Sequence, residues 1–127
     1  MQPRGEDQPK VATERIAYVN GEIVPESEAR VSINDVGFLY GDAVFDTTRT
    51  FNGEIFRLTE HLDRFYRSLK YMRVDPGMTK QEMADVTMQV LEHNLTLRGE
   101  NEDYWVSQRV SRGTRTPDGL SKPTVVI

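Results

Sequence analysis

Two Asn-Gly dipeptides, Asn20-Gly21 and Asn52-Gly53, each stand between short runs of strand-forming residues. Both central residues of a two-residue hairpin turn need positive φ, which Asn and Gly reach at least cost. Ile16-Ala17-Tyr18-Val19 and Glu22-Ile23-Val24 therefore read as one hairpin, closed by Pro25. Residues 43–51 are rich in β-branched and aromatic types and read as a longer strand, returning through residues 54–58. Before it, the Gly-bracketed stretch 35–42 reads as a turn of helix leading into that strand. Antiparallel sheet is thus fixed for the first sixty residues.

The period then changes. From Thr59, a plausible N-cap by residue type, Leu62, Phe65, Leu69 and Met72 recur at steps of 3, 4 and 3, the spacing of one helical face. Asp75-Pro76-Gly77 reads as its stop. Thr79-Lys80-Gln81-Glu82 has the form of a capping box, opening a second helix whose buried stripe is Met83, Val86, Val90 and Leu91. Strand character returns over 104–112, residues 113–122 read as a polar loop, and Thr124-Val125-Val126-Ile127 is again β-prone. The expected fold class is α+β, an antiparallel sheet with two packed helices. Residues 1–13, polar and without apolar period, read as a disordered leader, and 14–127 as one small domain. So apolar an ending suggests the front of a longer polypeptide.

Composition excludes several chemistries. No cysteine occurs, so disulfides, thiol nucleophiles and Cys-type zinc sites are out, and two histidines, His61 and His93, argue against any metal centre. A net charge of -4 argues against nucleic acid as partner. No apolar run is long enough to span a membrane and no secretory h-region opens the chain, which places it in the cytoplasm. Phosphate-loop, dinucleotide, nucleophile-elbow and zincin motifs are all missing. Chemistry supplied by an organic cofactor stays open.

Three places hold candidate side chains. Phe45, Thr47 and Arg49 share one face of the strand by its period of two, forming either a pocket wall for a small acid or a solvated face. Arg64 could present a bidentate fork to a phosphate, but Glu60 four residues earlier makes a helix-surface ion pair the cheaper reading. His61 reads as a structural histidine. Arg112 and Arg115, in a loop with Gly, Thr and Pro, could clamp a carboxylate or simply be solvated.

Jointly the motifs say more. Ala17-Tyr18-Val19-Asn20-Gly21-Glu22, then Gly37-Phe38-Leu39-Tyr40-Gly41-Asp42-Ala43-Val44-Phe45-Asp46, then Phe56-Arg57-Leu58-Thr59-Glu60-His61-Leu62-Asp63-Arg64-Phe65 resemble the class IV aminotransferases. These are the fold-type IV pyridoxal 5'-phosphate enzymes, which include branched-chain aminotransferases, D-amino acid transaminases and aminodeoxychorismate lyases. The resemblance implies the small N-terminal domain of such an enzyme, working as a homodimer on an amino acid or amine and a 2-oxo acid. It places Arg64 on the cofactor phosphate, and Tyr40, Phe45, Thr47, Arg49 and Arg115 around the substrate. The family's Schiff-base lysine is expected beyond Ile127, since Lys10, Lys70, Lys80 and Lys122 match no such position, so this segment alone is expected to be inactive. Tyr40, Phe45 and Arg49 resemble the branched-chain enzymes. Thr47, where a glycine is usual, resembles the lyases, and the Arg-x-His trap of D-amino acid transaminases is absent from 113–119. A transaminase is the implied activity, with a lyase on the same cofactor or a non-catalytic module as alternatives.

Overall fold

The computed structural model describes residues 13–127; all of the expected leader except Thr13 lies outside the described residues. The elements are β1 (Ile16–Val19), β2 (Glu22–Pro25), a 3-10 turn (Glu26–Glu28), α1 (Val36–Tyr40), β3 (Ala43–Phe51) and β4 (Glu54–Ile55). There follow α2 (Leu58–Met72), α3 (Lys80–Leu95), β5 (Trp105–Ser111), β6 (Arg115–Thr116), β7 (Gly119–Leu120) and β8 (Thr124–Val126). Six strands form one antiparallel sheet in the order β2-β1-β8-β5-β3-β4. β6 and β7 make a separate small hairpin inside the stretch expected to be a loop.

Both Asn-Gly turns take positive φ at each residue, 49° and 95° at Asn20 and Gly21, 52° and 83° at Asn52 and Gly53. Asn20 does more than turn: its Oδ1 accepts from the Val125 N–H at 2.8 Å and so ties the hairpin to β8.

Both long helices pack on one face of the sheet. Leu62, Phe65 and Leu69 of α2 and Met83, Val90 and Leu91 of α3 are buried, as are Val44, Val106 and Val110 of the sheet. Val86 is half-buried and Thr87 takes the fully buried place beside it. Met72, expected on the buried stripe, is exposed.

The ends of α2 differ from expectation. Thr59 is not the N-cap: Arg57, at φ 53°, begins the helix with no side-chain cap, and its carbonyl accepts from the His61 N–H at 3.1 Å. β4 is correspondingly shorter than the run 54–58. At the other end Arg73, at φ 58°, stops the helix ahead of Asp75-Pro76-Gly77, and Val74 folds back to bond Leu69 O. A non-glycine residue in the left-handed region leaves no residue-type signal, so neither boundary stands out in the sequence. The capping box at Thr79 and Glu82 is present in both directions.

Buried Asp35 caps α1, its Oδ1 accepting from Gly37 N at 2.8 Å and Phe38 N at 3.3 Å while Oδ2 accepts from Ser111 Oγ at 2.8 Å. Burial alone pushes its carboxyl up, but hydrogen bonds from Thr124, Ser111 and the two N–H groups outweigh it and hold it below the ordinary 3.8. Asp46 and Asp103 are depressed likewise. Each carboxyl binds its proton more weakly folded than unfolded, so each contributes stability above the ordinary carboxylate range and loses it as pH falls through the depressed folded value. The urea midpoint is therefore expected to be flat from about pH 7 to 5 and to fall progressively below about pH 4. A midpoint that holds steady down to pH 3 would contradict this.

Candidate active site

Two strands flank β3 unequally. β5 pairs with it from Ala43 to Arg49, whereas β4 pairs only with Thr50 and Phe51. Most of the outer edge of β3 is therefore free of any strand, and α2 delivers His61 and Arg64 beside it. Asp46, 5% exposed on the helix side of β3, gathers both. Arg64 Nε donates to Asp46 Oδ2 at 2.8 Å and Nη2 donates to Oδ1 at 2.8 Å. His61 Nδ1 lies 2.9 Å from the same Oδ1, a donor there when it carries the ring proton. Burial pushes the Asp46 carboxyl up, but bonds from Arg64 and His61 win and hold it below the ordinary range; the Arg64 guanidinium is raised in turn.

This corrects the helix-surface pairing. Glu60 bonds Arg57 at 3.1 Å and Asp63 bonds Lys80 at 2.6 Å, leaving Arg64 to Asp46, eighteen positions earlier. A buried, depressed carboxylate competes better for a guanidinium than an exposed Glu one turn away. Arg64 Nη1 keeps no partner among the described residues, and the side chain is 59% exposed. The fork is thus held rigidly by one side, with the remaining N–H groups facing outward.

The other face of β3 is bare. Register sets Phe45 opposite Arg109, Thr47 opposite Ser107 and Arg49 opposite Trp105. Thr47 Oγ1 and Ser107 Oγ are 2.8 Å apart, and the Arg109 guanidinium stands 4.6 Å over the Phe45 ring. Arg49 lies 4.0 Å over Phe51, donates to Thr50 O at 2.9 Å and has Asp103 at 3.7 Å. A hollow of about 380 Å³ wraps the edge, lined by Thr47, Arg49, Phe51, Phe56, His61 and Trp105. A larger one, about 810 Å³, lies beside Tyr18, Asp75 and Lys122; its loop lining gathers no comparable set of groups, so the site is assigned to β3.

At the far end of this face α1 turns back. Gly41, at φ 72° with open space where a Cβ would stand, serves the turn rather than a close approach. Tyr40 is left exposed, and Arg115 Nη1 donates to its hydroxyl at 2.6 Å. Phe45, Thr47 and Arg49 therefore do share one face, and Arg115 does reach Tyr40 from its loop. Arg112 does not join them: it bonds Asp42 at 2.8 Å and the Met72 carbonyl at 3.0 Å. Asp46, Trp105 and Arg109 are functional candidates that residue spacing alone did not single out. The period of two on β5 could have grouped Trp105, Ser107 and Arg109, but nothing local predicts their register against β3.

The domain is thus a two-helix layer on one side of an antiparallel sheet, with an arginine-bearing edge and a bare polar-aromatic face. The class IV amino-transferase family pattern matches residues 43–126, and the chain belongs to that family. A Methanocaldococcus jannaschii protein named as a candidate branched-chain-amino-acid aminotransferase is 41% identical over 112 residues, 85% of this chain and 37% of the relative. A Staphylococcus haemolyticus D-alanine aminotransferase is 38% identical over 77 residues, 61% of this chain and 27% of the relative. Among solved structures, the Thermoproteus uzoniensis branched-chain aminotransferase with norvaline superposes with TM-score 0.71 at 27% identity, covering 88% of this chain and 39% of that one. The T.th. branched-chain amino acid aminotransferase complexed with N-(5'-phosphopyridoxyl)-L-glutamate gives TM-score 0.73 at 26% identity, covering 89% and 38%. The chain thus spans less than two-fifths of the length of each of these relatives. No helix among the described residues is long and apolar enough to cross a membrane.

Proposed function

We propose that the complete protein is a cytoplasmic, pyridoxal phosphate-dependent aminotransferase that moves an amino group between an amino acid and a 2-oxo acid. The observation that carries this reading is the Arg64 fork, fixed on Asp46 through Nε and Nη2 with Nη1 unclaimed beside the open edge of β3. Such a fork fits a phosphate: a dianion needs outward N–H donors on a group already oriented, and Arg64 offers both. The cofactor, when bound, supplies the electron sink that loosens the bond to the substrate's α-hydrogen and carries the amino group between substrates.

The roles left to this chain are binding and exclusion. Asp46 and His61 hold Arg64 in place. Phe45, Phe51 and Trp105 form a wall that sheds water, with Thr47 and Arg49 as its polar members. Arg115 and Tyr40 brace one another at the end of that wall. The proton-shuttling lysine is assigned to the part of the family's length that this chain does not span. A homodimer is part of the proposal, supported by the exposed apolar side chains of Ile33, Phe38 and Tyr40 on and just before α1. Branched-chain amino acids are the preferred donors, on the likeness of Tyr40, Phe45 and Arg49 to that subfamily.

The test is an assay of the complete protein loaded with pyridoxal phosphate. Amino-group transfer from leucine or alanine, each enantiomer tried, to a 2-oxo acid is expected, with turnover strictly dependent on the acceptor. Repeated turnover of aminodeoxychorismate to pyruvate with no 2-oxo acid present, and no transfer from leucine or alanine, would replace the transferase by a lyase, the reading to which Thr47 points.

A further inference from the structure

Arg64 and Asp46 cancel one another's charge. The fork offers a phosphate oriented N–H groups, but bonded twice to a buried carboxylate it brings little net positive charge. The chain as a whole carries a formal charge of -4. A phosphate ester near neutral pH carries close to two negative charges, so it meets an edge that can hold it but hardly attracts it. Three residues after Arg64 on α2, Arg67 supplies what the fork lacks. Residues at this spacing are neighbours on the helix surface, with Cβ atoms about 5–6 Å apart. Arg67 is exposed, and among the described residues its side chain has no ion pair, hydrogen bond or ring contact. The acidic side chains on its own helix are engaged elsewhere, Glu60 with Arg57 at 3.1 Å and Asp63 with Lys80 at 2.6 Å. Lys70, also exposed, lies six residues from Arg64 and so about 120° away around the helix. Like charges one turn apart cost a helix stability, so local structure does not favour the pair Arg64 and Arg67.

We infer that Arg67 is the capture residue for the cofactor phosphate: it draws the dianion to the open edge of β3, and Arg64 then holds it. The inference rests on the pyridoxal phosphate reading above and assigns the approach, rather than the grip, to a second side chain. The division follows from the surroundings of the two arginines. Arg64 is oriented and neutralised by Asp46, which suits directed hydrogen bonds at contact. Arg67 is solvated and uncompensated, which suits attraction over a distance. A charge in that position acts on the rate of arrival more than on the lifetime of the complex, and it does so only while salt does not screen it.

The test mixes the complete apoprotein with pyridoxal phosphate by stopped flow and follows the cofactor's absorbance change, which needs no catalysis. Arg67→Gln is expected to slow bimolecular association about 3- to 10-fold at 10 mM salt, with the dissociation rate within about twofold of wild type. At 1 M salt, where the screening length falls to about 3 Å, the difference should shrink below about twofold. Arg67→Lys keeps the charge and should keep the rate, whereas Arg67→Glu should slow it further than the glutamine. Arg15→Gln is the control for net charge alone: Arg15 pairs with Glu26 beside β1 and β2, at the opposite edge of the sheet. It should leave association unchanged. An association rate unmoved by Arg67→Gln, a loss that persists at 1 M salt, or an equal loss in Arg15→Gln overturns the inference. Arg64→Ala in the same experiment separates this from the parent reading. Faster release in Arg64→Ala with unmoved association in Arg67→Gln leaves the fork in place and overturns the capture. Association slowed by Arg67→Gln, with no faster release in Arg64→Ala, supports the capture and removes the fork. A complete protein that binds no pyridoxal phosphate overturns both.

Discussion

Replacing Arg64 with alanine in the complete protein is expected to weaken pyridoxal phosphate retention by roughly 10- to 100-fold, the scale of losing charge-assisted hydrogen bonds to a phosphate. Equilibrium dialysis of the apoprotein against the cofactor reads this directly, without catalysis. A second consequence follows from Asp46. That carboxylate is buried, and with Arg64 gone its remaining side-chain partner is His61, so the apoprotein should also unfold at lower urea concentration. The two effects are separable. Adding Asp46→Asn to Arg64→Ala removes the stranded charge and should restore part of the urea midpoint while leaving cofactor affinity low. Asp46→Asn alone keeps Arg64 but frees its fork, so it should weaken cofactor binding less than Arg64→Ala does. Cofactor affinity that is unmoved in Arg64→Ala would remove the phosphate assignment altogether.

Phe65→Ala is expected to cost about 3–5 kcal/mol of stability, a large share of what a domain this size has to lose. Phe65 is fully buried at the centre of the layer between α2 and the sheet and meets Tyr66 edge-to-face at 5.9 Å. Its removal leaves a cavity walled by side chains held from three elements, which cannot all relax into it. Denaturant unfolding of the complete protein, with the transition of this domain followed by Trp105 fluorescence, measures the loss. Phe65→Leu, which keeps most of the volume, should cost far less than the alanine. Equal midpoints for wild type and Phe65→Ala would mean the core is not where the structure puts it.

Much of the architecture is legible from local pattern. The strand 43–51, both hairpin turns, the capping box and the buried faces of α2 and α3 each follow from a period or a turn residue acting over fewer than twenty positions. The helix boundaries at Arg57 and Arg73 do not, because each rests on a costly left-handed conformation that tertiary packing enforces. The site divides in the same way. That Phe45, Thr47 and Arg49 face one way is a consequence of the pleat. That Arg64 holds Asp46 rather than Glu60 depends on which strand α2 lands against, and that Arg109 covers Phe45 depends on register between strands sixty positions apart. Resemblance to a family supplied the expectation for Arg64 that spacing alone argued against.

The place of β8 carries a consequence for biosynthesis. It lies between β1 and β5, and the amino-terminal hairpin joins the rest of the sheet only through it, by bonds such as Tyr18 N to Ile127 O and Asn20 N to Val125 O. As the nascent chain leaves the ribosome, residues 16–25 can close on themselves early, but their pairing into the sheet must wait until β8 has emerged. Until then the hairpin is held from the helix side, by the Asn94 amide clasping the backbone of Ile16 and by the Tyr18 hydroxyl donating to Met78 Sδ at 3.6 Å. A stall in translation before codon 124 would leave two half-sheets, each with an unsatisfied inner edge, and this is the interval in which a chaperone has most to protect.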